Sequence, residues 1–394
     1  MREKKNHHDN ILRHKKCLDW NKKRKRKLKD FRSAALCIVG FIFVMVMKSN
    51  IQMSLNNHHV KKGCCLGNEA IDDFKTKQST LKTDLIIKAI KVAYAVSITS
   101  CEQDGFLDGA AVLKHSIHLT SIRSNDQSRY DYQMYAIVHP SAISCGESLQ
   151  RLGYKVLKRD VPVQVKDING TFLRNNIERN GCCGEKEFIK LEAYTLVDHP
   201  IVVHLDLDTL VLRPLDDIFD FMLGNLDSTT RIVAMSNHTL DPKRINAFFT
   251  RDYNSVNPDT KYKPVQGGFL VLRPSKDTYK ELVSIIQDGD YHEGSGWGGK
   301  VGPFHGSMTF QGIIPFLYDV LHPGTAVELN RCVYNQMCDN PRDLPTVNDV
   351  VHGVCLTGEQ NCEDCRERPL ADIVTAHFTL CQKPYVHAFT CEKF

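Results

Sequence analysis

The chain has 394 residues, 42% hydrophobic and 25% charged, with a formal net charge of +5. That is ordinary globular composition, with room for one large domain or two smaller ones. The positive charge is local: residues 1–32 hold 14 Lys and Arg against 4 Asp and Glu, which leaves 37 basic and 42 acidic residues beyond them, so the body of the protein offers no general electrostatic case for binding nucleic acid.

The basic run Lys22-Lys23-Arg24-Lys25-Arg26-Lys27 could serve as a nuclear signal or a nucleic-acid arm. The next stretch argues otherwise. Ser33 to Met47 carries no charge, and a basic flank before an apolar run reads as a membrane segment with its amino end in the cytosol. Fifteen residues span only about 22 Å as a helix, against roughly 30 Å of hydrocarbon. Ile51 and Met53 extend the run past Lys48, whose side chain can snorkel. The expectation is a basic cytosolic tail over 1–32, a single transmembrane signal anchor over 33–53, a stem over 54–90 and a folded domain over 91–394. A cleaved signal peptide competes with the anchor, and an extension packed on the domain competes with the stem.

The 15 cysteines fit a luminal domain, because disulfides persist there. Setting aside Cys17 as cytosolic and Cys37 as intramembrane leaves 13, an odd number, so at least one stays free or pairs between chains, which also allows a homodimer. Cys362-x-x-Cys365, with Cys355 nearby, lacks the further ligands of a zinc site and is read as a disulfide-held loop. Asn169 and Asn237 stand in glycosylation acceptors, though two in this length are near chance.

From Lys91 the pattern alternates. Val92–Ser100, Tyr132–Val138 and Tyr154–Leu157 read as strands, separated by helical stretches at Asp108–Ile117 and near Ser148–Leu152. Such alternation predicts βαβ units and a mainly parallel sheet. No glycine-rich phosphate loop follows the first strand, which disfavours the usual dinucleotide and nucleoside-triphosphatase cradles. Glu185–Val197 reads as a helix carrying Lys190. Ile201-Val202-Val203 then leads into His204-Leu205-Asp206-Leu207-Asp208. A short β-branched run without alternation suits a strand buried on both faces. In extended chain Asp206 and Asp208 share a side. Two carboxylates at a strand end repel unless a divalent cation joins them, and ligands of open α/β sheets collect at that edge. Asp288-Gly289-Asp290 has the same spacing but reads as a turn.

Farther on, Gln266-Gly267-Gly268 enters the apolar strand Val265–Leu272, where paired glycines permit either close ligand approach or a tight turn. Residues 293–306 form a glycine-rich loop with Trp297, read as a lid or sugar platform, or as a plain surface loop. A helix-like segment begins at Thr309, and Ile373-Val374 precedes His377 and Lys383.

These pieces, in this order over roughly residues 91–394, resemble glycosyltransferase family 8, the glycogenin-like retaining transferases. Asp206-x-Asp208 is similar to the family's D-x-D, and Lys190 stands where its helix carries a basic residue. Gln266-Gly267-Gly268 resembles its N-x-G turn, Gln311-Gly312 its Q-G, and His377 to Tyr385 its H-F-x-G-x-x-K-P-W. Gln266, Phe310, Leu380 and Tyr385 replace the family's Asn, Asp, Gly and Trp, and Phe310 removes a carboxylate expected near the acceptor.

The resemblance implies an α/β GT-A fold, a mainly parallel central sheet flanked by helices behind one transmembrane helix. It implies a UDP-sugar donor, a glycan or glycoprotein acceptor, and retention of configuration in the Golgi or ER lumen. Mn²⁺, with Mg²⁺ as the alternative, would be held by Asp206, Asp208 and His377, the imidazole favouring Mn²⁺. Lys190 and Lys383 would meet diphosphate or sugar oxygens, Ile98 and Ser100 would border the uridine, Gln266, Gly267 and Gly268 would line the donor, and Gln311 would face the anomeric carbon. Two rivals remain: a metal-dependent nucleotidyltransferase or pyrophosphatase, and a catalytically weakened carbohydrate-binding relative.

Overall fold

The structure, a computed structural model, describes residues 68–101, 105–224, 240–340, 342–343 and 354–379. The tail, the apolar segment over 33–53, Asn237, Lys383 and Tyr385 lie outside the described residues. Among the described residues no helix is long and apolar enough to cross a membrane. The chain divides into two units, Met1–Gln78 and Ser79–Phe394. Of the first, only the opening turns of helix α1 (Asn68–Lys88) are described. The sequence there shows no sustained apolar stripe, and accordingly Leu81, Leu85 and Ile87 in the rest of α1 are exposed.

The second unit follows the expected alternation. In chain order come β1 (Lys91–Ile98), α2 (Phe106–Leu119), β2 (Asp131–Val138), α3 (Gly146–Arg151), β3 (Lys155–Lys158), α4 (Thr171–Asn176), β4 (Val202–Leu205) and β5 (Thr209–Val211). They are followed by α5 (Asp216–Leu223), β6 (Ala247–Arg251), β7 (Val265–Leu272), α6 (Lys276–Asp288), β8 (Tyr291–His292), β9 (Gly296–Trp297), α7 (Phe310–Pro315) and β10 (Ala326–Glu328). Short strands β11 (Arg342–Asp343), β12 (Val354–Cys355) and β13 (Thr375–His377) complete the described strands, with 3₁₀ and π turns between the elements.

Seven strands make the central sheet, in the order β10-β6-β7-β4-β1-β2-β3. Only β7 runs against its neighbours, β4 and β6, so the sheet is mixed but mainly parallel. Strand β1 shows why its sequence is apolar without alternation. Val92, Tyr94, Val96 and Ile98 face one core with α2 and α5, while Ala93 and Ala95 face a second with Phe188, Leu191 and the α7 residues Ile313 and Ile314. Both faces are dry, so both sets of side chains must be hydrophobic.

Several local expectations change. The stretch carrying Lys190 is a 3₁₀ helix over Gly184–Thr195 rather than an α-helix. Such runs rarely exceed a few residues; this one is held by burial of Phe188, Ile189, Leu191 and Tyr194. Gly267 and Gly268 lie inside β7, so the tight-turn alternative fails. Trp297 is no exposed platform: it is fully buried, donates from Nε1 to the Ser307 carbonyl at 2.7 Å, and packs on Phe316 and Tyr291. Asp288-Gly289-Asp290 is indeed a turn, with Gly289 capping α6 at φ +63°. Disulfides join Cys101 to Cys145, Cys332 to Cys365 and Cys355 to Cys362, so Cys362 and Cys365 go to separate partners and no thiolate of that motif remains for zinc.

Candidate metal centre

Strands β1, β4 and β6 end at one edge of the sheet, where the antiparallel β7 begins. Strand β4, between β1 and β7, stops at Leu205. The Asp206 amide still donates to the Gly268 carbonyl at 3.1 Å, and the Thr209 amide then closes a turn onto the Asp206 carbonyl at 3.2 Å. Asp206 and Asp208 are therefore brought together by a turn, not by the alternation of an extended strand. The next strand, β5, pairs antiparallel with β13 and sets Thr209 opposite His377. Flanking bonds fix the register: Phe378 donates to the Asp208 carbonyl at 2.9 Å and His377 to the Gln336 carbonyl at 2.8 Å. Backbone pairing alone thus carries a histidine from the far end of the chain to the acidic turn.

The three side chains converge. Nε2 of His377 lies 3.2 Å from Asp208 Oδ1 and 4.0 Å from Asp206 Oδ2. One ligand atom from each residue falls within 4.8 Å of the others. His377 and Asp208 are buried, and Asp206 is half-buried. Among the described residues neither ring nitrogen of His377 makes a hydrogen bond, the 3.2 Å approach of Nε2 to Asp208 Oδ1 included. A buried imidazole without one is costly. Two carboxylates and an imidazole nitrogen, the last unsatisfied and aimed at the pair, form a donor set that fits a divalent cation such as Mn²⁺. Gly268 makes room for it. A Cβ there would stand 2.9 Å from Asp206 Oδ2 and from His377 Nδ1, and closer still to His377 Cε1.

Lys190 is the cationic neighbour. Its Nζ donates to Asp206 Oδ1 and to the Gly267 carbonyl, each at 2.9 Å, and sits 5.7 Å from the centre of the Phe310 ring. Burial works against its charge, but Asp206 and Glu187 outweigh burial and raise its pKa. Phe310 is wholly buried beneath it, so the position where a carboxylate was expected is part of the core. Gln311, next in the chain, lies over Gly267: its Cγ would be 3.6 Å from a Cβ there. Gly306, at φ +75°, admits the Gln311 amide from the other side.

Other predicted residues serve differently. The Gln266 oxygen accepts from the Gly268 amide at 2.6 Å and from Asn335 Nδ2 at 3.3 Å, so it braces β7 from within. Ile98 is buried in the core and its carbonyl accepts from the His139 amide, whereas Ser100 is exposed just past the strand end. Lys383 is outside the described residues.

Two residues of this edge have no role assigned from sequence. His204, directly under the turn, is fully buried; Ser97 Oγ lies 2.9 Å from its Nε2, and burial, then Lys190, lower its pKa to about 3, so it is neutral. Asp252 follows β6 at the same edge. Burial raises its carboxyl pKa, while Ser255, which bonds it at 3.0 Å, and His305 pull the other way. Its signal was legible: Ala247-Phe248-Phe249-Thr250-Arg251-Asp252 repeats the apolar-run-then-aspartate pattern of the stretch before Asp206.

No protein-family model matches the sequence, and no curated protein matches it. Among solved structures it is similar to mouse xyloside xylosyltransferase 1 in its apo form, at 14% identity and TM-score 0.45, over 75% of this chain and 99% of that one. It is also similar to the galactosyltransferase LgtC bound to donor and acceptor sugar analogs, at 11% identity and TM-score 0.38, over 77% of this chain and 92% of that one. The bifunctional glycosyltransferase WbbM, apo, matches at 13% identity and TM-score 0.39, over 75% of this chain and 47% of that one. Likenesses of this size define neither fold nor activity for this chain.

Proposed function

We propose that this protein is a glycosyltransferase of GT-A type that moves a sugar from a UDP-sugar to a glycan or glycoprotein, with retention of configuration. The observation that carries the reading is the convergence of Asp206, Asp208 and His377 at the carboxyl edge of the sheet, beside a charged Lys190. Asp206, Asp208 and His377 would hold Mn²⁺, which when bound supplies positive charge for a departing diphosphate. Lys190 adds a fixed ammonium, already oriented by Asp206 and the Gly267 carbonyl, where leaving-group charge would build. Gly268 lets the backbone of β7 lie against the site, and Gln311 presents an amide next to Gly267. Retaining hydrolases work with two carboxylates and a covalent sugar. Asp252, a further carboxyl at this edge, is tied to Ser255, and Glu187 to Thr309 and the Cys182 amide, which supports a front-face route in which the acceptor enters as the diphosphate leaves. The basic flank, the apolar run over 33–53 and the three disulfides support a single-pass type II protein with this domain in the Golgi or ER lumen.

The test is a panel of UDP-sugars with the full-length protein and Mn²⁺, scoring UDP release with and without EDTA. UDP release that stops in EDTA and in Asp208→Ala, with the folded state retained, is the expected result. Release of a nucleoside monophosphate would point to the nucleotidyltransferase or pyrophosphatase instead. Glycan binding without donor turnover would point to the weakened relative.

A further inference from the structure

Neighbouring residues in extended chain send their side chains to opposite sides. Cys182 and Cys183 do the reverse: their sulfurs lie 2.7 Å apart. That is between the roughly 2.05 Å of a disulfide bond and ordinary non-bonded contact. The approach is built into the backbone. Gly181 at φ +67° and Gly184 at φ +60° bend the chain on either side of the pair. Neither admits a side chain: a Cβ on Gly181 would strike Glu187 Oε1, and one on Gly184 would come within 2.8 Å of the Glu178 carbonyl oxygen. Both thiols are free although six other cysteines of the described residues are paired, and Cys182 is exposed.

The turn is wired to the candidate site. The Cys182 amide donates to Glu187 Oε1 at 2.9 Å, and Glu187 Oε2 accepts from Thr309 Oγ1 at 3.1 Å. Cys183 Sγ lies 4.0 Å from Thr99 Oγ1, just past the end of β1. The stretch Gly184–Thr195 that follows carries Lys190.

We propose that Cys182 and Cys183 form a thiol–disulfide switch, oxidised by small disulfides such as glutathione disulfide, whose closure restrains the stretch that carries Lys190. The Cys183 thiolate attacks one sulfur of glutathione disulfide and releases a glutathione thiolate, which takes a proton. Cys182 then gives up its proton and its sulfur displaces the second glutathione from Cys183. Two protein thiols are oxidised, and one glutathione disulfide is reduced to two thiols. Either thiol can donate the hydrogen bond between them; with the proton on Cys182, the Cys183 thiol is brought down to about 7. A thiol titrating near ambient pH is a good attacking group. Cys338, the remaining free thiol described, is pushed up by burial and by Asp339.

The bearing on Lys190 matters for catalysis only under the function proposed above; the sulfur chemistry does not depend on it. The full-length protein is equilibrated in reduced and in oxidised glutathione, alkylated, and digested. Expected in oxidised buffer is a 182–183 peptide lighter by two hydrogens than its dithiol and resistant to alkylation; in reduced buffer both residues are alkylated. Cys182→Ser and Cys183→Ser should each yield a glutathione adduct instead. Amide exchange across residues 184–195, read in both buffers, should slow on closure. Two alkylated thiols in oxidised buffer, with Cys332–Cys365 intact, would overturn the switch. Closure with unchanged exchange across 184–195 would overturn its hold on Lys190. Both readouts stand whether or not the protein turns over a UDP-sugar.

Discussion

Replacing Gly268 by Ala tests the metal centre from the backbone rather than from a ligand. The new Cβ would stand 2.9 Å from both Asp206 Oδ2 and His377 Nδ1. Ordinary contact begins near 3.5 Å, so each group must withdraw by at least about 0.6 Å, and the His377 ring by more. Metal sites tolerate about 0.2 Å in a bond length. Even changes beyond the ligands typically cost about 10–100-fold in metal affinity. Gly268→Ala should therefore weaken Mn²⁺ binding by about 100-fold or more, with an overpacking cost of about 1–3 kcal/mol in stability. Gly267→Ala is the control: the three atoms nearest its Cβ would be Lys190 Nζ at 3.4 Å and Gln311 Cγ and Phe310 Cδ1 at 3.6 Å, none of them from the acidic cluster. Titration calorimetry with Mn²⁺ on both variants, beside urea unfolding, reads the two effects separately. A Gly268→Ala protein that binds Mn²⁺ as tightly as the parent would refute the reasoning, because the three ligands could not then be acting together where they lie.

Lys190→Met keeps the bulk against Phe310 but removes the charge; UDP-sugar turnover should fall by about 100-fold or more, while unfolding stability drops by about 1–3 kcal/mol for each of the two partners it leaves, Asp206 and the Gly267 carbonyl. Turnover within about twofold of the parent would remove Lys190 from the mechanism. His204 gives a pH prediction: its folded pKa is lowered from 6.5 to about 3, so the unfolded chain takes up a proton that the folded one refuses. Its contribution is fully present above about pH 6.5 and fades as pH falls towards about 3, with about 2 kcal/mol lost by about pH 5. Urea unfolding across that range should show this slope, and His204→Asn should flatten it. Trp297→Ala should cost about 3–5 kcal/mol by the same assay, as a core truncation does, and leave acceptor KM unchanged; a selective rise in acceptor KM would restore the platform reading.

The sequence was most informative where chemistry and periodicity coincide. Val265–Leu272, apolar but for Gln266 and its two glycines, is a strand over those same residues, because both of its faces are buried. Asp206, Asp208 and His377 were legible as a set only through resemblance; nothing local in Thr375-Ala376-His377 says that it pairs with Thr209-Leu210-Val211. Glycine was ambiguous for a physical reason. It marks equally a turn, as at Gly289, or a strand pressed against other atoms, as at Gly268, and only the neighbours tell these apart. Trp297 misled because a glycine-rich loop suggests exposure, whereas these glycines bend the backbone around an indole that fills the core. Asp252 was missed because its strand, β6, went unread, although its pattern matches that before Asp206.

The pairing of β13 with β5 also has a temporal side. The ribosome delivers the acidic turn well before it delivers His377, and domains begin to fold as they emerge. Until β13 is free to pair, β5 lacks its partner and the aspartates lack their imidazole. Under the proposed function, cation capture would therefore wait until β13 has been made and has paired with β5.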